Sequence, residues 1–125
     1  MAQDLHAACI EACNACATAC DHCAAACLAE ADPKPMARCI ALDMDCAAAC
    51  RFAAGVMARD SEHAAATCEL CAQLCDACGE ECGQHRMDHC QACAAACRRC
   101  ADECRRMAQA ARQRGTQGAR GAHAH

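Results

Sequence analysis

Cysteine recurs along this chain at alternating gaps of three and four residues. Five cysteines keep this rhythm in CNACATACDHCAAAC, residues 13–27, and CQACAAACRRCADEC, residues 90–104, repeats the spacing. Gaps of three and four place side chains on one face of an α-helix, where other proteins carry leucine. The spacing therefore predicts helices whose buried stripe consists of thiols.

The 19 cysteines of the 125-residue chain fall into four groups. Three groups keep the rhythm without a break, and the second keeps it once Met36, Asp43, Ala53 and Met57 are read as places without cysteine. The groups are Cys9, Cys13, Cys16, Cys20, Cys23, Cys27; Cys39, Cys46, Cys50; Cys68, Cys71, Cys75, Cys78, Cys82; and Cys90, Cys93, Cys97, Cys100, Cys104. Each group predicts one helix.

Helix start and stop signals separate the groups. Pro35 suits the first turn of a helix, Asp60 or Ser61 suits an N-cap, and Gly83 suits a helix end. We predict helices over about 4–29, 35–58, 61–83 and 87–112. Short connections make neighbouring helices antiparallel, so the fold class is all-α, an antiparallel up-down-up-down four-helix bundle with a Cys-lined core. The bundle is a single domain, residues 1–112, and the Gly/Arg/His-rich residues 113–125 are predicted to form a flexible tail.

Composition supports a thiol core and excludes several functions. Large aliphatic residues are scarce and Trp and Tyr are absent, but alanine is the best helix former and a thiol buries like a small hydrophobic group. With a net charge of −4 and no basic stripe, nothing indicates nucleic acid binding. No run of 18 apolar residues predicts a membrane span, and the N-terminus lacks the pattern of a secretory signal. We therefore expect a cytoplasmic protein, a compartment in which thiols stay reduced.

Four packed stripes would line a tube with sulfur, and a sulfur-lined tube is a metal site. Soft thiolates select Cu(I), and they also suit zinc and iron–sulfur clusters. A rigid helix cannot wrap four of its own thiols around one ion, but neighbouring pairs can hold two-coordinate ions, with each sulfur shared between two ions. This arrangement predicts multiple Cu(I) ions per chain, about one per cysteine. Each Cu(I) would replace one proton and leave the core nearly neutral.

Four Cys-striped, Ala-rich helices with repeated CxxxC and CxxC resemble the bacterial cytosolic copper storage proteins. The resemblance covers about residues 4–112. It implies a four-helix bundle that stores and buffers many Cu(I) ions without catalysis, and it implies assembly into a homotetramer. The protein that donates or accepts the copper is unknown.

The two ends of the tube differ in their side chains. The resemblance implies that Met and His admit copper at one end, and His85, Met87 and His89 are the candidates. The predicted metal ligands are therefore these three residues and all 19 cysteines. Asp43 has two interpretations: it ligates or hydrogen-bonds near the metal chain, or a slight rotation of the second helix points it outward. We favour the outward orientation, because the second stripe is the least regular.

Rival functions remain open. A zinc or mixed-metal thiolate protein of metallothionein type is the main alternative, although cysteines in that class usually lie in loops. An iron–sulfur cluster requires four thiolates that converge from a loop. The C-x2-C-x2-C-x3-C-P motif typical of such loops is absent, which argues against an iron–sulfur protein. A thiol oxidoreductase with a CxxC motif normally carries it next to a βαβ unit. No strand pattern is visible here, which argues against that function. No nucleophile–base pair and no phosphate-binding loop is visible, so the sequence does not predict an enzyme.

Overall fold

Four α-helices account for nearly all of the described chain. The structure, a computed structural model, describes the backbone of residues 2–123 and the side chains of residues 6–114. The helices are α1 (Ala2–Leu28), α2 (Ala37–Ala58), α3 (Ala64–Gly83) and α4 (Asp88–His123), and a 3-10 turn, Lys34–Met36, precedes α2. Within residues 2–123 there is no β-strand. The predicted all-α fold is confirmed.

The helices pack in the order in which the chain visits them. Helix α1 packs against α2 and α4, and α3 packs against the same two helices. Cys9 near the start of α1 contacts Cys104 towards the end of α4, whereas Cys23 contacts Cys90 at the start of α4. Adjacent helices are thus antiparallel, and the molecule is the predicted up-down-up-down bundle.

Small side chains let the helices approach each other closely. Ala12, Ala47, Ala72 and Ala94 are buried between helices. Gly79 of α3 packs so closely on α4 that an added Cβ would lie 3.2 Å from Cβ of Cys97 and 3.5 Å from the Ala94 carbonyl oxygen. Because the helices lie so close together, the space between them is narrow and is filled by the cysteine sulfur atoms.

The turn between α2 and α3 corrects one prediction. Asp60, a predicted N-cap of α3, has a φ of 53° and ends α2 instead. Its N–H donates to the Met57 carbonyl at 3.0 Å, and the Ser61 N–H donates to the Val56 carbonyl at 2.9 Å. These two bonds form a Schellman motif, which aspartate tolerates in the left-handed region. Helix α3 accordingly begins at Ala64, three residues later than predicted.

Helix α4 runs past its predicted end at residue 112 and continues to His123. The expected loose tail over 113–125 is therefore helical as far as the structure describes it, and residues 124 and 125 lie outside the described part. Alanine, arginine and glutamine favour helix there, and a glycine costs only about 1 kcal/mol relative to alanine when no proline interrupts. None of the described helices is long and apolar enough to span a membrane.

Candidate metal-binding core

All 19 cysteines are free and point into the bundle, each with no more than 1% of its surface exposed. Helices α1 and α4 face each other through a ladder of five sulfur pairs at 3.6–3.8 Å. From one end to the other the pairs are Cys9–Cys104, Cys13–Cys100, Cys16–Cys97, Cys20–Cys93 and Cys23–Cys90. The alternating gaps in the sequence thus become a continuous row of thiols.

Helices α2 and α3 form a second ladder. Its sulfur pairs are Cys39–Cys82 at 3.3 Å, Cys46–Cys75 at 3.5 Å and Cys50–Cys71 at 3.7 Å. The two ladders join where Cys16 lies 3.8 Å from Cys46 and where Cys50 lies 3.8 Å from Cys100. The predicted convergence of four thiol stripes on a shared interior is confirmed.

The sulfur spacing suits metal ions and is too long for disulfide bonds. A disulfide needs sulfurs about 2.05 Å apart, whereas the pairs in the two ladders lie at 3.3–3.8 Å. A metal–thiolate bond is about 2.3 Å for zinc, so two sulfurs on opposite sides of an ion lie about 4.6 Å apart. Small side-chain rotations therefore make room for an ion between neighbouring thiols.

Several groups of four sulfurs lie within 4.8 Å of one another. The groups share members: Cys16 and Cys46 belong to one group with Cys50 and Cys75, and to another with Cys20 and Cys97. Shared sulfurs suit bridging between ions better than isolated closed sites.

Asp43 points inward, so the expectation that it faces solvent was wrong. Its side chain is fully buried on the α2 stripe. Oδ1 accepts hydrogen bonds from the thiols of Cys78 and Cys93 at 3.2 Å and of Cys82 at 3.4 Å. Helix α2 is not rotated; the carboxyl group takes a sulfur's place because neighbouring thiols supply hydrogen-bond donors.

Burial keeps these groups in their neutral forms. Desolvation, followed by unfavourable electrostatics with the neighbouring Cys93, raises the pKa of Asp43 to about 9. Desolvation likewise raises the pKa of Cys90 to about 11 and raises the pKa values of Cys23 and Cys39. An incoming cation that replaces the thiol proton removes this penalty.

His89 is the predicted mouth residue that reaches the thiols. Its Nδ1 lies 3.6 Å from Sγ of Cys90 and 3.9 Å from Sγ of Cys27. Its Nε2 lies 3.5 Å from a carboxylate oxygen of Glu30. Donation of Nε2–H to Glu30 leaves the Nδ1 lone pair facing the sulfurs, the arrangement that a metal-ligating histidine needs.

His85 is held differently. Its Nε2 lies 2.7 Å from Glu81, and Arg38 donates to the other oxygen of the same carboxylate at 2.7 Å. The paired charges lower the pKa of Glu81, chiefly through the hydrogen bond to His85. Met87 is half-buried and packs against the core. Sequence reasoning missed Glu30, Glu81 and Arg38. The heptad pattern gives no signal for Glu30 or Arg38, whereas the i, i+4 spacing from His85 could have found Glu81.

Methionines close the opposite end. Met57 and Met107 are buried to within 1% of their surface, and Met57 continues the α2 stripe as the sequence predicts. Met107 follows Cys104 by three residues and continues the α4 stripe. Cys68, on the α3 stripe, is fully buried as well. The exposed His22, by contrast, lies outside the sulfur core.

Known proteins resemble this chain in both sequence and structure. YhjQ, an uncharacterized cysteine-rich protein of Bacillus subtilis (strain 168), is 52% identical over 82 residues, which are 66% of this chain and 76% of the relative. The Cu(I)-bound copper storage protein BsCsp3 has a TM-score of 0.81 and 50% identity, covering 83% of this chain and 98% of that one.

A second solved structure and a family match agree. A cytosolic copper storage protein from Streptomyces lividans, with five coppers, has a TM-score of 0.84 and 39% identity, covering 86% of this chain and 95% of that one. Residues 2–109 match the family described as copper storage protein (Csp). The chain therefore belongs to the copper storage protein family.

Proposed function

We propose that this chain binds and stores many Cu(I) ions through the thiolates of its bundle core, and that it thereby buffers or detoxifies copper. One observation carries the proposal: 19 free, buried thiols line one interior, with ladder sulfurs 3.3–3.8 Å apart. Soft, closely spaced thiolates suit Cu(I). The ligand set is the 19 cysteines, with His85, Met87 and His89 at the mouth.

Charge and sharing of sulfurs favour a loading of about one Cu(I) per cysteine. A thiolate needs a positive partner once it is buried, and one Cu(I) per lost proton keeps the interior close to neutral. Ladder neighbours along and across the helices let each sulfur bridge two ions, as between Cys16, Cys20 and Cys97. Asp43 interrupts the sulfur row at one level and offers an oxygen there.

The mouth at His85, Met87 and His89 is the route by which copper is taken up in this proposal. The contacts of His89 Nδ1 with Cys27 and Cys90 support it, because an ion caught by the imidazole would already lie beside two thiols. The Glu81 carboxylate holds His85 at the rim. Imidazole binds Cu(I) less tightly than thiolate, so the ion moves inward.

The proposed compartment, oligomeric state and partners of this chain follow from the family resemblance. Free thiols suit the cytoplasm, where disulfides are rare, and a storage role needs no catalytic group. The homotetramer is what the family resemblance implies. An apolar outer groove between α2 and α3, where Phe52 and Leu70 are half-exposed beside Leu74, offers a surface on which copies of the chain could associate. The copper donor or acceptor protein is unknown, and nucleic acid and membrane are not partners in this proposal.

Zinc sequestration of metallothionein type is the second candidate. The groups of four sulfurs within 4.8 Å favour it, because zinc prefers four thiolates in a tetrahedron. Each closed tetrathiolate zinc site, however, carries two excess negative charges, and a dry core of several such sites lacks cations to balance them. One Cu(I) ion per thiolate leaves no such excess negative charge.

Metal competition distinguishes the two candidates. Reduced protein is first saturated with Zn(II) under nitrogen and then titrated with Cu(I), while released zinc and bound copper are measured. The storage proposal predicts complete zinc release and a final copper content far above one ion per four thiols. Retained zinc, or copper saturation at one ion per four thiols, would favour the metallothionein-like function.

A further inference from the structure

The sulfur ladder between α1 and α4 has one more rung that contains no cysteine. Successive rungs step along both helices by three or four residues and reach Cys9–Cys104 at 3.7 Å. The next step in the same register pairs His6 with Met107. His6 precedes Cys9 by three residues, the gap that the α1 stripe requires after the four-residue gap between Cys9 and Cys13.

The other two helices contribute to the same level. On the α2–α3 ladder the rung after Cys50–Cys71 is Ala53–Cys68, and the rung after that pairs Met57 with Ala64. Both Met57 and Met107 belong to the buried core. By this register, the last level of the tube contains one imidazole, two thioethers and a methyl group.

The imidazole at this level has an unused nitrogen. Nε2 of His6 is buried and has no hydrogen-bond partner among the described residues. A buried ring nitrogen without a partner is unfavourable, and most such groups in proteins find one. Each of the two histidines at the opposite mouth, in contrast, has a ring nitrogen beside a carboxylate.

We propose that His6 Nε2, with the thioether sulfurs of Met57 and Met107, forms a terminal Cu(I) site that closes the tube at the end remote from His85 and His89. The inference rests on the proposed function of the tube. Imidazole nitrogen and thioether sulfur are both ligands for Cu(I). Neutral ligands hold the ion less tightly than thiolates, so this site fills last.

Nitrogen NMR of the full chain tests the site directly. Protein with ¹⁵N-labelled histidine is reduced and titrated with Cu(I) under nitrogen, and the side-chain ¹⁵N signals of its seven histidines are followed. Cu(I) is diamagnetic, so the signals stay observable. The Nε2 signal of His6, assigned through a His6→Phe variant, should move only in the final steps of loading. The signal of His63, an exposed histidine at the same end, should stay in place.

A second variant tests the methionine ligands without removing the reporter. Met57→Leu/Met107→Leu keeps the apolar volume, so the bundle should form while His6 Nε2 keeps its metal-free shift at saturation. In wild type, an Nε2 signal that never leaves its metal-free position would overturn the site, as would an unchanged response in the methionine variant. The copper-to-protein ratio in the same titration judges the storage function separately, because full thiolate loading with a silent His6 refutes the terminal site alone.

Discussion

Oδ1 of Asp43 on α2 lies 3.2 Å from Sγ of Cys93 on α4, so a hydrogen bond crosses the bundle between two diagonal helices. The same oxygen also accepts from Cys78 on α3. A carboxyl group thus ties three helices together at a level where the other stripes supply sulfur. It is the one fully buried acidic side chain in the described part of the core.

Asp43 makes the stability of the metal-free protein depend on pH. Its pKa is about 9 in the fold against 3.8 unperturbed, so its contribution to stability is complete below about pH 4 and is lost as the pH rises through 9. Between pH 5 and 8 the wild type should lose about 4 kcal/mol of unfolding free energy relative to Asp43→Asn, at about 1.4 kcal/mol per unit. Urea unfolding of both reduced proteins measures this difference, and parallel pH profiles would contradict it.

Two glycines in helices form a matched pair for the close contact between α3 and α4. Replacing either by alanine gains up to about 1 kcal/mol of helix propensity. A Cβ on Gly55 meets the flexible end of Arg59, whereas a Cβ on Gly79 meets Cβ of Cys97. Gly55→Ala should therefore stabilise, and Gly79→Ala should be less stable than Gly55→Ala by about 1–3 kcal/mol because of overpacking. If chemical denaturation showed the same increase in unfolding free energy for both variants, the helices would have room to separate.

The two mouth histidines should differ in their effect on copper uptake. His89 contacts two thiols, and His85 is bound to Glu81. In stopped-flow mixing of reduced protein with Cu(I), His89→Ala should slow copper loading several-fold, because an incoming ion loses the imidazole that lies beside two thiols. His85→Ala should slow loading less. His63→Ala, an exposed histidine at the far end, is the control.

Final copper content should stay nearly unchanged in all of these variants, since the 19 thiols carry the capacity. The double variant His85→Ala/His89→Ala should load most slowly. A double variant that loads at the wild-type rate would remove both histidines from uptake.

The bundle should persist without metal. Protonated thiols pack as small apolar groups, and the four helices are built from strong helix formers. Circular dichroism of reduced, metal-free protein should therefore show high helicity. A random-coil spectrum would place this chain among proteins that fold only around their metal, as zinc fingers do.

The sequence predicted the fold and the thiol interior well because both follow from one periodic signal. Gaps of three and four determine a helix face. Met57 extends the α2 face as predicted, and Met107 extends the α4 face by the same spacing. His6 lies on the same stripe and is recognisable by its gap of three from Cys9. Helix ends were predicted less well: Asp60 ends α2 through its left-handed φ, a choice that no residue pattern distinguishes from an N-cap.

Polar side chains at the site were the weakest part of the sequence prediction. A carboxylate on an apolar stripe is normally a sign of exposure, yet Asp43 is satisfied by thiol donors from two other helices. The contact of Glu81 with His85 follows an i, i+4 spacing that the sequence does contain. Glu81 meets Arg38, however, because α2 packs against α3. Such partners depend on tertiary geometry, which local spacing does not contain.

Copper stoichiometry under competition is the most direct measure of the thiol store. Reduced protein is titrated with Cu(I) under nitrogen in the presence of a chelator whose Cu(I) complex is coloured, so that bound copper and affinity are read together. The account predicts that the protein outcompetes the chelator until about one ion per cysteine is bound, near 19 per chain. Saturation after a handful of ions, with most thiols still free to react, would contradict it.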